Sequence, residues 1–311
     1  MFQLDVTNFG KYSSRRYYTE DNTISFAIVP ERGALLSDFQ YNGHPIIDGC
    51  KTPEEVEFNA WGKSWLLFPF PNRLKDGQYK WEGKSYQFPI NEEQNQHALH
   101  GFLHECAFDL VNEEVGEQKV HLHLQHAYAG ERPYYPFPFL FELFIEVNNA
   151  GKFRMDVMIT NNGASDLPMA FGWHPYFQLG GKVNDWWLQT SAIDLIGIDK
   201  RMIPTGKKYE FDKFAESTKI NAEVLDNCFE ARGKFGKNAE ATLTDQRLQI
   251  QFSQPALSFP YLQLFTPPNR QSLAIEPMTG NVDCFNNRDR LIRLTPTEKW
   301  WGTYHFTVTH V

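Results

Sequence analysis

Period-two alternation is the pattern that recurs along this chain, and no segment sustains an apolar stripe at i, i+3, i+4 and i+7 over several turns. In Val120-His121-Leu122-His123-Leu124-Gln125-His126 the aliphatic residues share one face and the histidines the other, as successive side chains of a pleated strand must. Phe153, Met155, Val157 and Ile159 repeat the pattern, as do Leu248, Ile250 and Phe252, and then Tyr304, Phe306 and Val308. Turn chemistry separates the strands. Glu82-Gly83-Lys84 between two aromatic-rich runs predicts a hairpin, and Asn42-Gly43, Asn161-Asn162-Gly163 and Gly180-Gly181 predict further turns. Short helices are expected only at Glu54 to Asn59 and Lys213 to Ser217. The pattern predicts an all-β protein, a large antiparallel β-sandwich with a few short helices. Aromatic residues at 15% of 311 favour strands, and with no linker-like run and no fixed-period repeat, residues 1–311 read as one domain.

Charge and composition exclude several classes. The formal net charge is -8 and the Lys and Arg residues are scattered, which predicts no nucleic-acid partner. Met1 to Gly10 lacks both a basic stretch and an apolar core, and the densest apolar run, Trp65 to Phe70, is too short for a bilayer. The expectation is a cytoplasmic protein with no membrane span. Cys50, Cys106, Cys228 and Cys284 are widely spaced without a C-x-x-C pair, and read as reduced, mostly buried thiols. A monomer and a homodimer are both compatible with a large sandwich.

Three polar clusters fall where strands break into Gly- or Pro-containing turns, the usual place for groups held at the mouth of a β scaffold. The first is Phe70-Pro71-Asn72-Arg73-Leu74, followed by Asn95-Gln96-His97-Ala98-Leu99-His100-Gly101. His97, His100 and His104 invite a metal, yet no H-E-x-x-H pattern accompanies them, so no metal is expected. The second is Phe171-Gly172-Trp173-His174-Pro175-Tyr176-Phe177, in which a small residue and a proline bracket a histidine among aromatics. A histidine in such company is commonly a core residue; the fixed backbone around it also suits a side chain that must keep one orientation. The third is Leu273-Ala274-Ile275-Glu276-Pro277, where an acid ends a buried strand. Burial raises the pKa of such an acid toward that of a useful base, while its bland role is to cap backbone amides. Pro133-Tyr134-Tyr135-Pro136-Phe137-Pro138 reads as an ordered loop, with an aromatic wall for a sugar ring as the functional alternative.

One Glu with one or two His suits the opening of a hemiacetal ring, in which a proton leaves the anomeric hydroxyl while another reaches the ring oxygen. No nucleophile, metal or organic cofactor is needed. These residues resemble the aldose 1-epimerases, or galactose mutarotases, from about Phe68 to the C-terminal strand. Asn72-Arg73-Leu74 with Gly77, Leu99-His100-Gly101, His174-Pro175-Tyr176-Phe177, Leu225-Asp226-Asn227-Cys228-Phe229 and Ile275-Glu276-Pro277 look like successive motifs of that family. The resemblance implies a large antiparallel sandwich with an open cleft over one sheet. It implies Glu276 as the base on the anomeric hydroxyl, His174 as the acid at the ring oxygen, and His100 in support. Arg73, Asp226, Asn72 and Tyr176 become the substrate-binding candidates, and the ligand a small aldose; His97 receives no role. Two departures, Phe102 after Gly101 and Pro175 after His174, leave the preferred sugar open. The competing readings are a hexose-6-phosphate mutarotase and a non-catalytic sugar-binding protein on the same fold.

Overall fold

The computed structural model describes residues 1–232 and 238–311. Among them, three larger antiparallel sheets carry the fold. Five strands from Phe2–Phe9 to His44–Pro45 form an N-terminal sheet in chain order. A nine-stranded sheet runs from Asp109–Val115 through Lys119–Tyr128, Phe139–Asn148 and Lys152–Asn161 to the C-terminal strand Lys299–His310, then on through Leu248–Pro255 and Asn238–Thr244. The third sheet includes Asp226–Ala231, Tyr261–Phe265 and Leu273–Met278 side by side, with Gly172–Trp173 and Tyr176–Phe177 both paired to the last of these.

The alternating runs point their apolar faces inward as their periodicity requires. Phe153, Met155, Val157 and Ile159 are all buried, as are Tyr304, Phe306 and Val308 on the neighbouring strand. Register places Phe153 opposite Phe306, and the two rings stack with centroids 4.9 Å apart. Phe39 of the N-terminal sheet meets both edge-on, Trp173 stacks on Phe153 at 5.4 Å, and Phe177 meets Phe306 edge-on at 5.3 Å. Side chains of all three sheets therefore share one aromatic layer, and each buried ring contributes roughly 1.5–3 kcal/mol. This layer is the floor beneath the polar clusters.

Local expectations meet the structure with four differences. The hairpin forms, with Glu82 and Gly83 both at positive φ, but Lys84 already pairs with Trp81 and belongs to the second strand, Lys84–Gln87. The first expected helix spans Pro53–Glu57, shifted toward its N-terminus because Thr52 caps it and proline fits its first turn. Residues 213–217 form turns instead of a helix: the carbonyl of Phe214 accepts from the amide of Thr190, a sheet-type bond that a helix would have used internally. A further short helix, Cys284–Asn287, had no periodic signal. All four cysteines are free thiols, three of them buried and Cys106 partly so. No helix among the described residues is long and apolar enough to cross a membrane.

One close approach positions the first cluster. Gly101 has φ +67, and its amide neighbours Phe102 and Leu103 both donate to the carbonyl of Phe68. A Cβ at Gly101 would lie 2.1 Å from that carbonyl oxygen. Gly101→Ala should therefore destabilise the protein by more than about 2 kcal/mol, read as a lowered midpoint in urea denaturation.

Candidate active site

The site is written into the alternation of three adjacent strands. Register pairs Gln263 with Glu276 on one side and with Cys228 on the other, and pairs Asp226 with Phe265. Positions two apart on a strand share a face, so Glu276, Gln263, Phe265 and Asp226 emerge together, while Ile275, Leu262 and Leu264 turn into the core. These four side chains line a cavity of about 460 Å³, together with Asn72, Arg73, His100, His174, Tyr176, Trp61 and Trp65 among others. That volume lies in the usual range for small-molecule sites.

His174 is fixed against Glu276 by main-chain bonds on both sides. Its amide donates to the carbonyl of Trp65 and its carbonyl accepts from Ser64, while the carbonyl of Pro175 accepts from Ile275 on the strand carrying Glu276. Gly172 permits this approach, since a Cβ there would lie 2.9 Å from Pro71 Cβ and 3.1 Å from the carbonyl of Pro277. The result is His174 Nε2 at 3.4 Å from Glu276 Oε1. Tyr176 stacks on the imidazole at 4.8 Å, and its hydroxyl donates to the carbonyl of Trp61. Glu276 Oε2 and His174 Nδ1 are buried without a hydrogen-bond partner among the described residues.

His100 approaches the same pair from the opposite wall, its ring centroid 5.3 Å from that of His174. It is locked to Asn72: its amide donates to the Asn72 carbonyl, and its Nδ1 accepts from the Asn72 amide at 3.1 Å. With Nδ1 an acceptor, a neutral His100 carries its proton on Nε2. Asn72 also begins a polar chain across the floor. Its Oδ1 accepts from Arg73, its Nδ2 donates to Gln263 Oε1 at 3.3 Å, and Gln263 Nε2 donates to Asp226 Oδ1 at 3.0 Å.

Burial dominates the electrostatics. It pushes Glu276 well above the ordinary carboxylate range; the nearby Asp226 adds to the shift and Arg73 opposes it. It pushes the His174 imidazole down to about 3 and His100 well below the ordinary value, the latter helped by His174, His104 and Arg73. Asp226 is raised as well, by burial first, with Arg73 acting against it. The cleft thus holds two proton-carrying groups in contact, each displaced toward its neutral form.

The structure brings Glu276, His174, His100, Arg73, Asp226, Asn72 and Tyr176 to one cavity. The other histidines of the first cluster go elsewhere. His97 accepts at Nδ1 from the Asp76 amide and bonds the carbonyl of Arg201 through Nε2, a brace between loops; His104 is buried and stacked on Trp65 at 3.7 Å. Trp173, next to His174 in the same motif, is buried against Phe153 and faces away from the cleft. The 133–138 segment is a loop whose Tyr135 and Phe137 enter the core. Besides Tyr176, the aromatics at the cleft are Trp61, Trp65 and Phe265, with Trp61 stacked over Phe265 at 6.1 Å. Sequence reasoning passed over these and Gln263. For Gln263 a signal existed, a lone amide between leucines in Tyr261-Leu262-Gln263-Leu264-Phe265.

Comparison with known proteins places the fold and the sequence. A sequence profile described as Aldose 1-epimerase matches residues 16–307. The uncharacterized protein YihR of Escherichia coli K12 is 27% identical over 276 residues, covering 86% of this chain and 85% of its own. A galactose mutarotase-like protein from Clostridium acetobutylicum superposes with a TM-score of 0.87 at 19% identity, covering 100% of this chain and 99% of that one. The galactose 1-epimerase of Lactobacillus acidophilus NCFM gives 0.83 at 15% identity, with coverage of 100% and 99%. At such identities the two structures show the shared fold, and the profile match over nearly the whole sequence shows more: the chain belongs to the aldose 1-epimerase family.

Proposed function

We propose that the protein is an aldose mutarotase that interconverts the α and β anomers of an aldohexose, with Glu276 and His174 as its acid–base pair. The observation that carries this reading is their contact in the cleft, each group keeping one buried polar atom without a partner among the described residues. In ring opening, the Glu276 carboxylate takes the proton of the C1 hydroxyl, the C1–O5 bond breaks, and protonated His174 delivers its proton to O5. Rotation about C1–C2 presents the other aldehyde face, and reclosure runs the same transfers backward. His100, with its proton held on Nε2, donates a supporting hydrogen bond to oxygen, while Arg73, Asp226, Asn72 and Tyr176 orient the sugar.

The pair needs one proton between its two members. Burial favours the neutral arrangement, a carboxylic acid beside an imidazole, and the reactive arrangement, a carboxylate beside an imidazolium, has the same proton count. Substrate hydroxyls that supply hydrogen bonds to the charged forms shift this internal balance without exchange with solvent. A binding protein would have no need of a carboxyl and an imidazole facing each other, since holding hydroxyls requires hydrogen-bonding groups and no proton transfer between them.

Polarimetry of freshly dissolved α-D-glucose and α-D-galactose tests the proposal. Wild-type protein should accelerate mutarotation; Glu276→Gln should lower kcat/KM by about 10³-fold and His174→Asn by about 10²-fold, with sugar binding largely retained. Full activity in Glu276→Gln, or binding of these sugars without acceleration by the wild type, would overturn it. The same variant has a stability signature. A carboxyl whose folded pKa is raised stabilises the protein fully below its unfolded value near 4.5, and that contribution is lost as pH rises through the folded value. The melting temperature of Glu276→Gln should therefore gain on that of the wild type as pH increases above about 4.5. The buried imidazoles act in the opposite sense. His174 and His104, both depressed to about 3, stabilise the fold above the ordinary value of 6.5 and lose that contribution as pH falls toward 3, so the melting temperature of Glu276→Gln, which lacks the opposing carboxyl, should decline as pH drops below about 6.5.

A further inference from the structure

The cavity walls carry one guanidinium, Arg73, and two carboxyl groups, Asp226 and Glu276, among the described residues. Arg73 does not face the cleft as a free cation. Its Nε and Nη2 both bond the carboxylate of Glu92, at 2.8 to 3.0 Å, with the two side chains only 13% and 15% exposed. This is the two-point fork that a bound carboxylate or phosphate would need. Nη1 remains, bonded to Asn72 Oδ1 at 3.2 Å with one N–H to spare.

Glu92 is itself delivered by a built loop. Its main chain exchanges two hydrogen bonds with that of His97, and its side chain accepts from Asn95. His97 in turn is braced to Asp76 and Arg201. The histidine without a role in the chemistry thus holds the segment that neutralises the arginine of the cleft.

We infer that Glu92 is a specificity-determining residue: by occupying the fork of Arg73 it reserves the cleft for uncharged aldoses and turns away anionic sugars such as uronates and sugar phosphates. This rests on the mutarotase reading and narrows its substrate class. An anionic sugar entering the wild-type site would meet a neutralised guanidinium beside Asp226 and Glu276, whereas a neutral hydroxyl needs only a single N–H donor. A purely structural role for the pair would affect stability without altering the ranking of neutral against anionic substrates.

The test compares α-D-glucose with D-glucuronate and glucose 6-phosphate as substrates of the wild type and of Glu92→Gln, by polarimetry or anomer-exchange NMR at low ionic strength. Wild-type kcat/KM should favour glucose over either anion by about tenfold or more, and Glu92→Gln should shift that ratio toward at least one anion by about tenfold, less at high salt. Glu92→Asp, which keeps the charge, should stay nearer the wild-type ratio. A folded Glu92→Gln protein with an unchanged ratio overturns the inference, and so does a wild type that turns over glucuronate or the phosphate ester as well as glucose. Should Glu92→Gln fail to fold, the wild-type ratio decides alone. Failure of the wild type to accelerate any aldose is a separate result that removes the mutarotase reading and this inference with it.

Discussion

Holding a carboxyl group inside a protein, with one oxygen that finds no partner among the described residues, is the condition the rest of this structure has to meet. An unsatisfied buried polar group costs about 1–3 kcal/mol, and more once it is charged. Glu276 sits on a strand whose every residue is buried, so its side chain cannot rotate out to bulk solvent. The offset comes from behind the strand. Ile275 and Leu264 face the core, and the aromatic layer of Phe153, Phe306, Trp173 and Phe39 ties three sheets together beneath it. Stability is stored on one face of the sheet and drawn upon on the other.

Orientation of the neutral groups in the cleft follows from the charges at the ends of their chain. A guanidinium can only donate and a carboxylate can only accept. Between Arg73 and Asp226, the amides of Asn72 and Gln263 therefore have one consistent sense, oxygen toward the arginine and nitrogen toward the acid. Two side chains whose ends are nearly isosteric are thereby given a fixed polarity, and the surface a sugar meets has donors and acceptors in set places. Glu92 completes this chain at its basic end and keeps the guanidinium from acting as an isolated charge.

Much of the fold was legible because its strands have one wet and one dry face. Val120 to Leu124 and Phe153 to Ile159 announce both their conformation and their core side through spacing alone. The site was legible in part, since His174, His100 and Glu276 stand beside glycines and prolines that mark fixed backbone. The cleft aromatics were harder to read. Trp61 lies in a segment with no periodicity and Trp65 within an apolar run, and only tertiary contact separates them from Trp173, which looks similar in sequence and ends in the core. Helix boundaries failed for a related reason. Nothing local at Lys213 to Ser217 reveals that the carbonyl of Phe214 is claimed by Thr190 from another strand.

The tautomer of His100 is set by a main-chain amide, that of Asn72. Every residue except proline supplies that donor, so the proton on Nε2 survives any other replacement of the asparagine that keeps the loop in place. The polarity of this imidazole is thus a property of the path of the backbone and is insulated from drift in side-chain identity, whereas the amide chain toward Asp226 passes through that same residue's side chain and has no such protection.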